Sequence, residues 1–364
     1  MTTSRLDLSR LQILAFRRRV GALGERLPPG RHSLRRAAWA GLQDSMPRAA
    51  LLSIHARVEG AQPSTWEDPC LVQLWGPRYS AYVVAERDLA VFSLGRLPDS
   101  AGRRQIAEDV AARLRDQLGG ARMACGAAGR ALGVNPNQLR YAAPTGTVLM
   151  RWDGARQPVI WTVAPPDVDP RDARSELARR YLHTFGPGTP ESFAAWAGIA
   201  RSQGIATFDA LRNSLTPVRT PIGEAWILAR DETSLRAAPG PVAPARLLPS
   251  GDSYFLLHGE DRELLVPDED RRRALWTSRV WPGAVLVDGE IVGTWRRSQN
   301  TVSIQTWRRL APRRPRRSRN RSCVVAVTRF RGDPRPMGRL THPAVSYARA
   351  VSHFIRSKPE GASV

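Results

Sequence analysis

One order of elements occurs three times along the chain and constrains its fold more than any other feature. Each time, apolar residues at helical spacing lead through a polar break to a second short helix, then to β-rich runs joined by a glycine turn. In the first pass, residues 8–27 and 32–40 read as helices. A third helix covers 47–60, with Pro47 in its first turn, where a missing N–H costs nothing. Strands at 70–75 and 79–84 flank the turn Gly76-Pro77-Arg78.

The second pass begins with a helix over Ala101–Leu118. Helices at 124–132 and 136–142 then bracket Gly133-Val134-Asn135, the spacing of a helix-turn-helix, and strands at 147–152 and 158–163 meet at Asp153-Gly154. In the third pass a helix covers 171–185, Thr189-Pro190 caps another at 191–197, and a third spans 207–213. Strands are predicted at 225–229, 254–257, 284–287, 291–295 and 302–307, with Asp288-Gly289 the clearest hairpin turn. Two or three helices followed by a hairpin is the order of a winged helix. The predicted fold is therefore α+β: winged helix 1 over residues 1–98, winged helix 2 over 99–168, and winged helix 3 with extra C-terminal strands over 169–310.

After Leu310 the pattern breaks. Residues 311–364 hold 13 Lys and Arg against 2 Asp and Glu, and all 11 Trp lie before them, so this stretch reads as a basic, flexible tail able to hold phosphates, or as a terminus without function. It carries half of the net charge of +22, and the body is still basic. A field of that sign favours nucleic acid as partner. Arg supplies nearly all of it, and the one Lys, Lys358, lies in the tail. Three distant cysteines make no disulfide framework or metal knuckle, and six scattered histidines make no ligand cluster. No apolar run approaches the roughly 20 residues of a membrane span. These features predict a cytoplasmic chain, favoured as a monomer, without metal, cofactor or membrane contact.

Four segments carry a family resemblance: AGLQDSMPRAALLSIHARV, DPCLVQLWGPRYSAYVVAERDLAVFSLGRLP, RRYLHTFGPGTPESFAAWAGI, and VLVDGEIVGTWRR with the distal Trp307. Through them residues 8–310 resemble the helix-turn-helix family that includes the AlkZ-type DNA glycosylases. The resemblance implies three tandem winged helices in a C-shape around a basic channel for double-stranded DNA. It also implies a Gln-x-Gln or Gln-x-Asp pair that places a water and stabilises the sugar as an alkylated or crosslinked purine leaves. Gln43 matches the first member, whereas Ser45 stands at the second and offers a short, uncharged hydroxyl. Asp44 supplies a carboxylate if the loop turns it toward the sugar. Asp44 and Ser45 are equally ordinary N-cap residues for the helix that follows.

Arg48, Arg78, Arg130, Arg140, Arg151, Arg296 and Arg297 fall on predicted recognition helices or wings and are the candidate DNA contacts. The VDGEIVGTW hairpin either probes a groove, as the resemblance implies, or closes the third unit. Trp39, Trp66 and Trp75 read as core rather than as stacking platforms for bases, and His55 as an interior or boundary side chain rather than a catalytic base. Two functions remain: a monofunctional glycosylase that hydrolyses the N-glycosidic bond of an alkylpurine, or a noncatalytic DNA-binding or regulatory protein.

Overall fold

In the computed structural model the described residues are 6–154, 156–240, 244–298, 301–308 and 328–330. The chain opens with β1 (Leu6–Asp7) and α1 (Arg10–Val20), where Ser9 and Gln12 cap each other. Then come α2 (Arg31–Ala37), β2 (Leu42–Gln43) and α3 (Ala49–Arg57). Gly41 makes the turn between α2 and β2 at φ +74°, and a Cβ there would lie 2.7 Å from the Phe92 ring. The third helix begins two residues later than its sequence predicts, because Arg48 takes a left-handed φ of 61° and leaves Pro47 outside the helix.

Strands β3 (Leu71–Trp75) and β4 (Ala81–Ala85) and the short helix α4 (Leu89–Phe92) complete this region. Helix α5 (Ala101–Leu118) matches its predicted bounds and stops at left-handed Gly119. Next are β5 (Met123–Ala124), α6 (Cys125–Ala131), a 3-10 segment over Pro136–Thr145, β6 (Val148–Arg151) and β7 (Val159–Thr162). The second member of the expected helix-turn-helix is thus 3-10 rather than α-helical; Pro136 opens it and Pro144 lies inside it.

Helices α7 (Pro170–Phe185), α8 (Pro190–Ala197) and α9 (Arg201–Ala210) follow, the first two capped by Asp169 and Thr189. The remaining elements are β8 (Leu215–Thr220), β9 (Gly223–Leu228), α10 (Glu232–Arg236), β10 (Arg246–Leu248), α11 (Asp261–Leu265), α12 (Glu269–Leu275), β11 (Gly283–Val287), β12 (Glu290–Ser298), β13 (Thr301–Thr306) and β14 (Thr328–Phe330).

The hairpins expected as two separate wings share one sheet. β3 meets β6 at Gln73 opposite Met150, giving the strand order β2-β4-β3-β6-β7-β5. Both strands are largely buried, and their pairing removes two apolar edges from solvent. Helix α1, first in sequence order, packs with the last unit: β1 runs parallel to β8, and Ile13 and Phe16 share a core with Val218, Ile227 and Leu235.

Residues 254–257 are not a strand. The Asp252 carboxylate accepts from Tyr254 N–H at 2.9 Å and the Asp252 carbonyl from Phe255 N–H at 3.0 Å, which curls this apolar run into a turn. Of the predicted tail, only Thr328–Phe330 is described, as β14 paired with β13; the rest of 311–364 lies outside the described residues. Among the described residues no helix is long and apolar enough to cross a membrane.

Candidate active site and nucleic-acid interface

Strand β2 carries the candidate loop to the edge of the six-stranded sheet. Gln43 pairs with Tyr82, and the Asp44 N–H donates to the Ala81 carbonyl at 2.7 Å. From there the three candidate side chains diverge. Gln43 Nε2 donates to Ser45 Oγ at 3.0 Å, and Ser45 is exposed. Gln43 Oε1 accepts nothing from the described residues and sits against Gly251, where a Cβ would come within 3.3 Å of it.

Asp44 turns inward. It is buried, with Oδ1 accepting from Ala50 N–H at 3.0 Å and Oδ2 from Gln73 Nε2 at 2.7 Å. The N-cap position of α3 is Arg48 rather than Asp44 or Ser45; Asp44 accepts from the first turn of α3 from four residues upstream of that position, and its carboxylate does not face the surface that Ser45 shares. Burial pushes its pKa up to about 7, against the opposing pull of those two donors and of Arg151. Gln73 extends the chain of contacts, since its Oε1 accepts from Trp152 N–H at 2.6 Å. One buried amide thereby ties the loop to the end of β6.

A second buried device holds the other side of the loop. Arg57 grips Asp252 with two bonds of 2.7 Å, Ser53 Oγ donates to the same carboxylate at 2.6 Å, and all three side chains are inaccessible to solvent. This clamp joins α3 to the turn that contains Gly251. At φ +75° Gly251 presents its bare Cα to Gln43, with the nearest approach to a built Cβ only 3.2 Å. Sequence reading missed this set because its members lie 195 residues apart and no local spacing relates them.

The structure gathers three of the seven candidate arginines. Arg48, Arg296 and Arg297 line one cleft between the start of α3 and the C-terminal sheet, together with Met46 and Ser250, neighbours of Ser45 and Gly251. Arg296 also donates to the Val280 carbonyl at 3.2 Å. The remaining four lie elsewhere. Arg151 stacks on Trp66, its guanidinium 3.5 Å from the ring centroid. Arg78 contacts the His258 ring, and burial with the Arg78 charge holds that imidazole down at about 4. Arg130 is exposed at the end of α6, and Arg140 lines a separate hollow with Cys125 and Asn137.

The Asp288-Gly289 turn forms as predicted, with both residues at positive φ. It is tucked against α1: Arg10 bonds Glu290 at 2.6 Å and Tyr254 Oη donates to the Gly289 carbonyl at 3.0 Å. The hairpin that carries Arg296 and Arg297 is the next one, β12 to β13. Trp66 and Trp75 are buried as their patterns imply, whereas Trp39 and His55 are half-buried. Burial, with Arg26 and Arg246 nearby, lowers the His55 pKa to about 4. Among the described residues no group of three or more His, Cys, Asp or Glu side chains is placed to hold a metal.

Comparison with known proteins follows the same outline. The family model described as DNA glycosylase AlkZ-like matches residues 36–330, which carries the resemblance past Leu310 to the end of β14. A curated relative, the interstrand DNA cross-link repair glycosylase of Streptomyces sahachiroi, is 31% identical over 134 residues, 35% of this chain. That alignment also spans 35% of the relative, about a third of its length. The solved Streptomyces sahachiroi DNA glycosylase AlkZ superimposes with a TM-score of 0.69 at 18% identity, covering 84% of this chain and 93% of that one. The likeness shows a shared mixed α+β fold.

Proposed function

The chain belongs to the AlkZ-like DNA glycosylase family, and on that premise we propose that it is a monofunctional DNA glycosylase acting on alkylated or crosslinked double-stranded DNA. The observation that carries this reading is the Gln43–Ser45 hydrogen bond at the surface beside the Arg48, Arg296 and Arg297 cleft. Gln43 is the water-orienting residue. Ser45 takes its amide N–H, and Oε1, buried against Gly251 with no donor among the described residues, accepts a proton of the attacking water once the Gln43 amide swings out of that contact. An N7-alkylpurine already carries positive charge, so it departs without an acid to protonate it. The sugar carbon loses the base, gains the water oxygen, and the released proton passes to solvent.

Asp44 enters as a positioning residue. Its carboxylate fixes the first turn of α3 and, through Gln73, the end of β6, so that Gln43 and Ser45 keep their mutual geometry. Arg48, Arg296 and Arg297 hold phosphates around the lesion, and Arg130 extends that track across the second unit. The thrice-repeated element order supports three winged helices, over 1–98, 99–168 and 169–310, with the first two sharing a sheet and α1 packed on the third; the family resemblance implies a C-shaped basic channel between them. The same reading makes the protein a cytoplasmic monomer.

One observation favours a noncatalytic DNA-binding role. The only carboxylate in the 43–45 loop is consumed by the first turn of α3, and Ser45 brings no charge to the sugar. Free-base release from N7-alkylguanine duplexes separates the two readings: the glycosylase releases base above the spontaneous rate, whereas a binding protein retains the duplex intact.

A further inference from the structure

The hollow that Arg140 lines is built from residues the glycosylase reading leaves unused. It lies between α6, the 3-10 segment and the turn before β7, with a volume of about 250 Å³. Sites for drug-sized ligands begin at roughly 300 Å³, so this one suits a single flat ring system. Of its lining, Trp75 and Cys125 are buried, whereas Asn137 and Gln157 are exposed, which gives an apolar floor and an amide rim. Two glycines of α6 make room for the walls. A Cβ on Gly126 would lie 2.3 Å from Gln157 Oε1, and one on Gly129 2.8 Å from Pro136. Glycine weakens a helix, so the pair gives up helix stability for these close approaches. The Gly126 N–H donates to Gln157 Oε1 at 3.0 Å, which leaves the Gln157 Nε2 group as a donor. Arg140 Nε is buried and meets no acceptor among the described residues. An unsatisfied buried donor is costly, and one bordering a hollow calls for an acceptor from a ligand.

We infer that this hollow takes the base of one unpaired nucleotide in DNA bound along the second unit. The inference rests on the DNA-binding part of the proposed function and not on base release. A nucleobase has flat apolar faces and an edge of ring nitrogens and carbonyls. Trp75, Pro136 and Pro158 supply apolar surface for the first; Arg140, Gln157 and Asn137 supply partners for the second. Asn137 offers a donor and an acceptor on one amide. A phosphate is a poor occupant, because it is best held by several charged donors and Arg140 is the only cation among the described lining residues. Burial raises the Cys125 pKa, so the thiol stays uncharged and donates to the Pro136 carbonyl at 3.6 Å. Arg130, exposed at the end of α6, is placed to hold the flanking phosphates.

The test uses the full chain and three unalkylated duplexes: one fully paired, one with a single bulged guanine nucleotide, and one with an abasic tetrahydrofuran bulge at the same position. Equilibrium binding is measured by fluorescence anisotropy for wild type, Arg140→Ala, Asn137→Ala and Arg130→Ala; Asn137 is exposed, so its truncation leaves the fold intact. The expected result is a preference for the guanine bulge over the abasic bulge. That preference falls about tenfold in Arg140→Ala, the scale of one hydrogen bond to a charged group, and falls also in Asn137→Ala. Arg130→Ala weakens all three duplexes alike. Equal wild-type affinity for the two bulges, or a preference indifferent to both Arg140 and Asn137, would overturn the inference. A chain that binds none of the duplexes refutes it together with the DNA-binding reading. Because these duplexes carry no alkylated base, absence of glycosylase activity leaves the bulge preference measurable, and loss of the preference leaves base release untouched.

Discussion

Removal of the Asp252 carboxylate tests how the candidate loop is held. In Asp252→Ala the Arg57 guanidinium keeps its place, 2% exposed, and loses both of its 2.7 Å bonds; Ser53 Oγ and Tyr254 N–H lose their acceptor as well. A charge left buried without its partner costs about 3–5 kcal/mol. At about 2 cal/mol/K of unfolding entropy per residue, a chain of 364 residues turns that cost into a fall in Tm of about 5 °C. The double variant Arg57→Met/Asp252→Leu removes both charges, and recovery of at least half of the loss is expected because the desolvation penalty goes with them. Scanning calorimetry of the three proteins measures these differences. A Tm within about 1 °C of wild type for Asp252→Ala would refute the claim that this ion pair is desolvated and structurally required. Base release should also drop in Asp252→Ala well below its Tm, since Gly251 then no longer seats Gln43.

Asp44 supplies a pH signature. Burial raises its pKa from 3.8 to about 7 in the folded chain, so the folded state holds the proton more tightly. The resulting stabilisation is fully present below pH 3.8 and is lost as pH rises through about 7. Its span is on the order of 4 kcal/mol, and stability measured by denaturant at pH 5 and pH 8.5 should fall more in wild type than in Asp44→Asn; equal slopes contradict the burial argument. On the binding side, the Arg296→Gln/Arg297→Gln variant should reduce the slope of log Kobs against log salt by about 2, with little change in sequence preference. An unchanged slope in a fluorescence titration would place the phosphates elsewhere.

Helices with local punctuation were legible in the sequence. Ala101–Leu118 runs into Gly119-Gly120, and Asp169-Pro170 and Thr189-Pro190 mark the starts of two more, because caps and breakers act within a few residues. Elements fixed by distant contacts were not. β8 carries Pro217 and shows little apolar alternation, yet it forms between β1 and β9. The apolar run 254–257 resembles a buried strand but forms a turn whose backbone bonds to Asp252, itself gripped by Arg57. At the site, Gln43 and its neighbours were identifiable by position. Whether Asp44 faced outward depended on Gln73 and Ala50, which only the folded sheet brings to it.

The central claim is that Gln43, held by Ser45 beside a basic cleft, directs water to the sugar of an alkylated purine nucleotide. Incubation of the full chain with an N7-alkylguanine duplex, with free base quantified by chromatography, tests it most directly. The account predicts release above spontaneous depurination that falls by about 100-fold in Gln43→Ala while duplex affinity stays near that of wild type. Tight, salt-sensitive binding with no release, or release indifferent to Gln43, would contradict it.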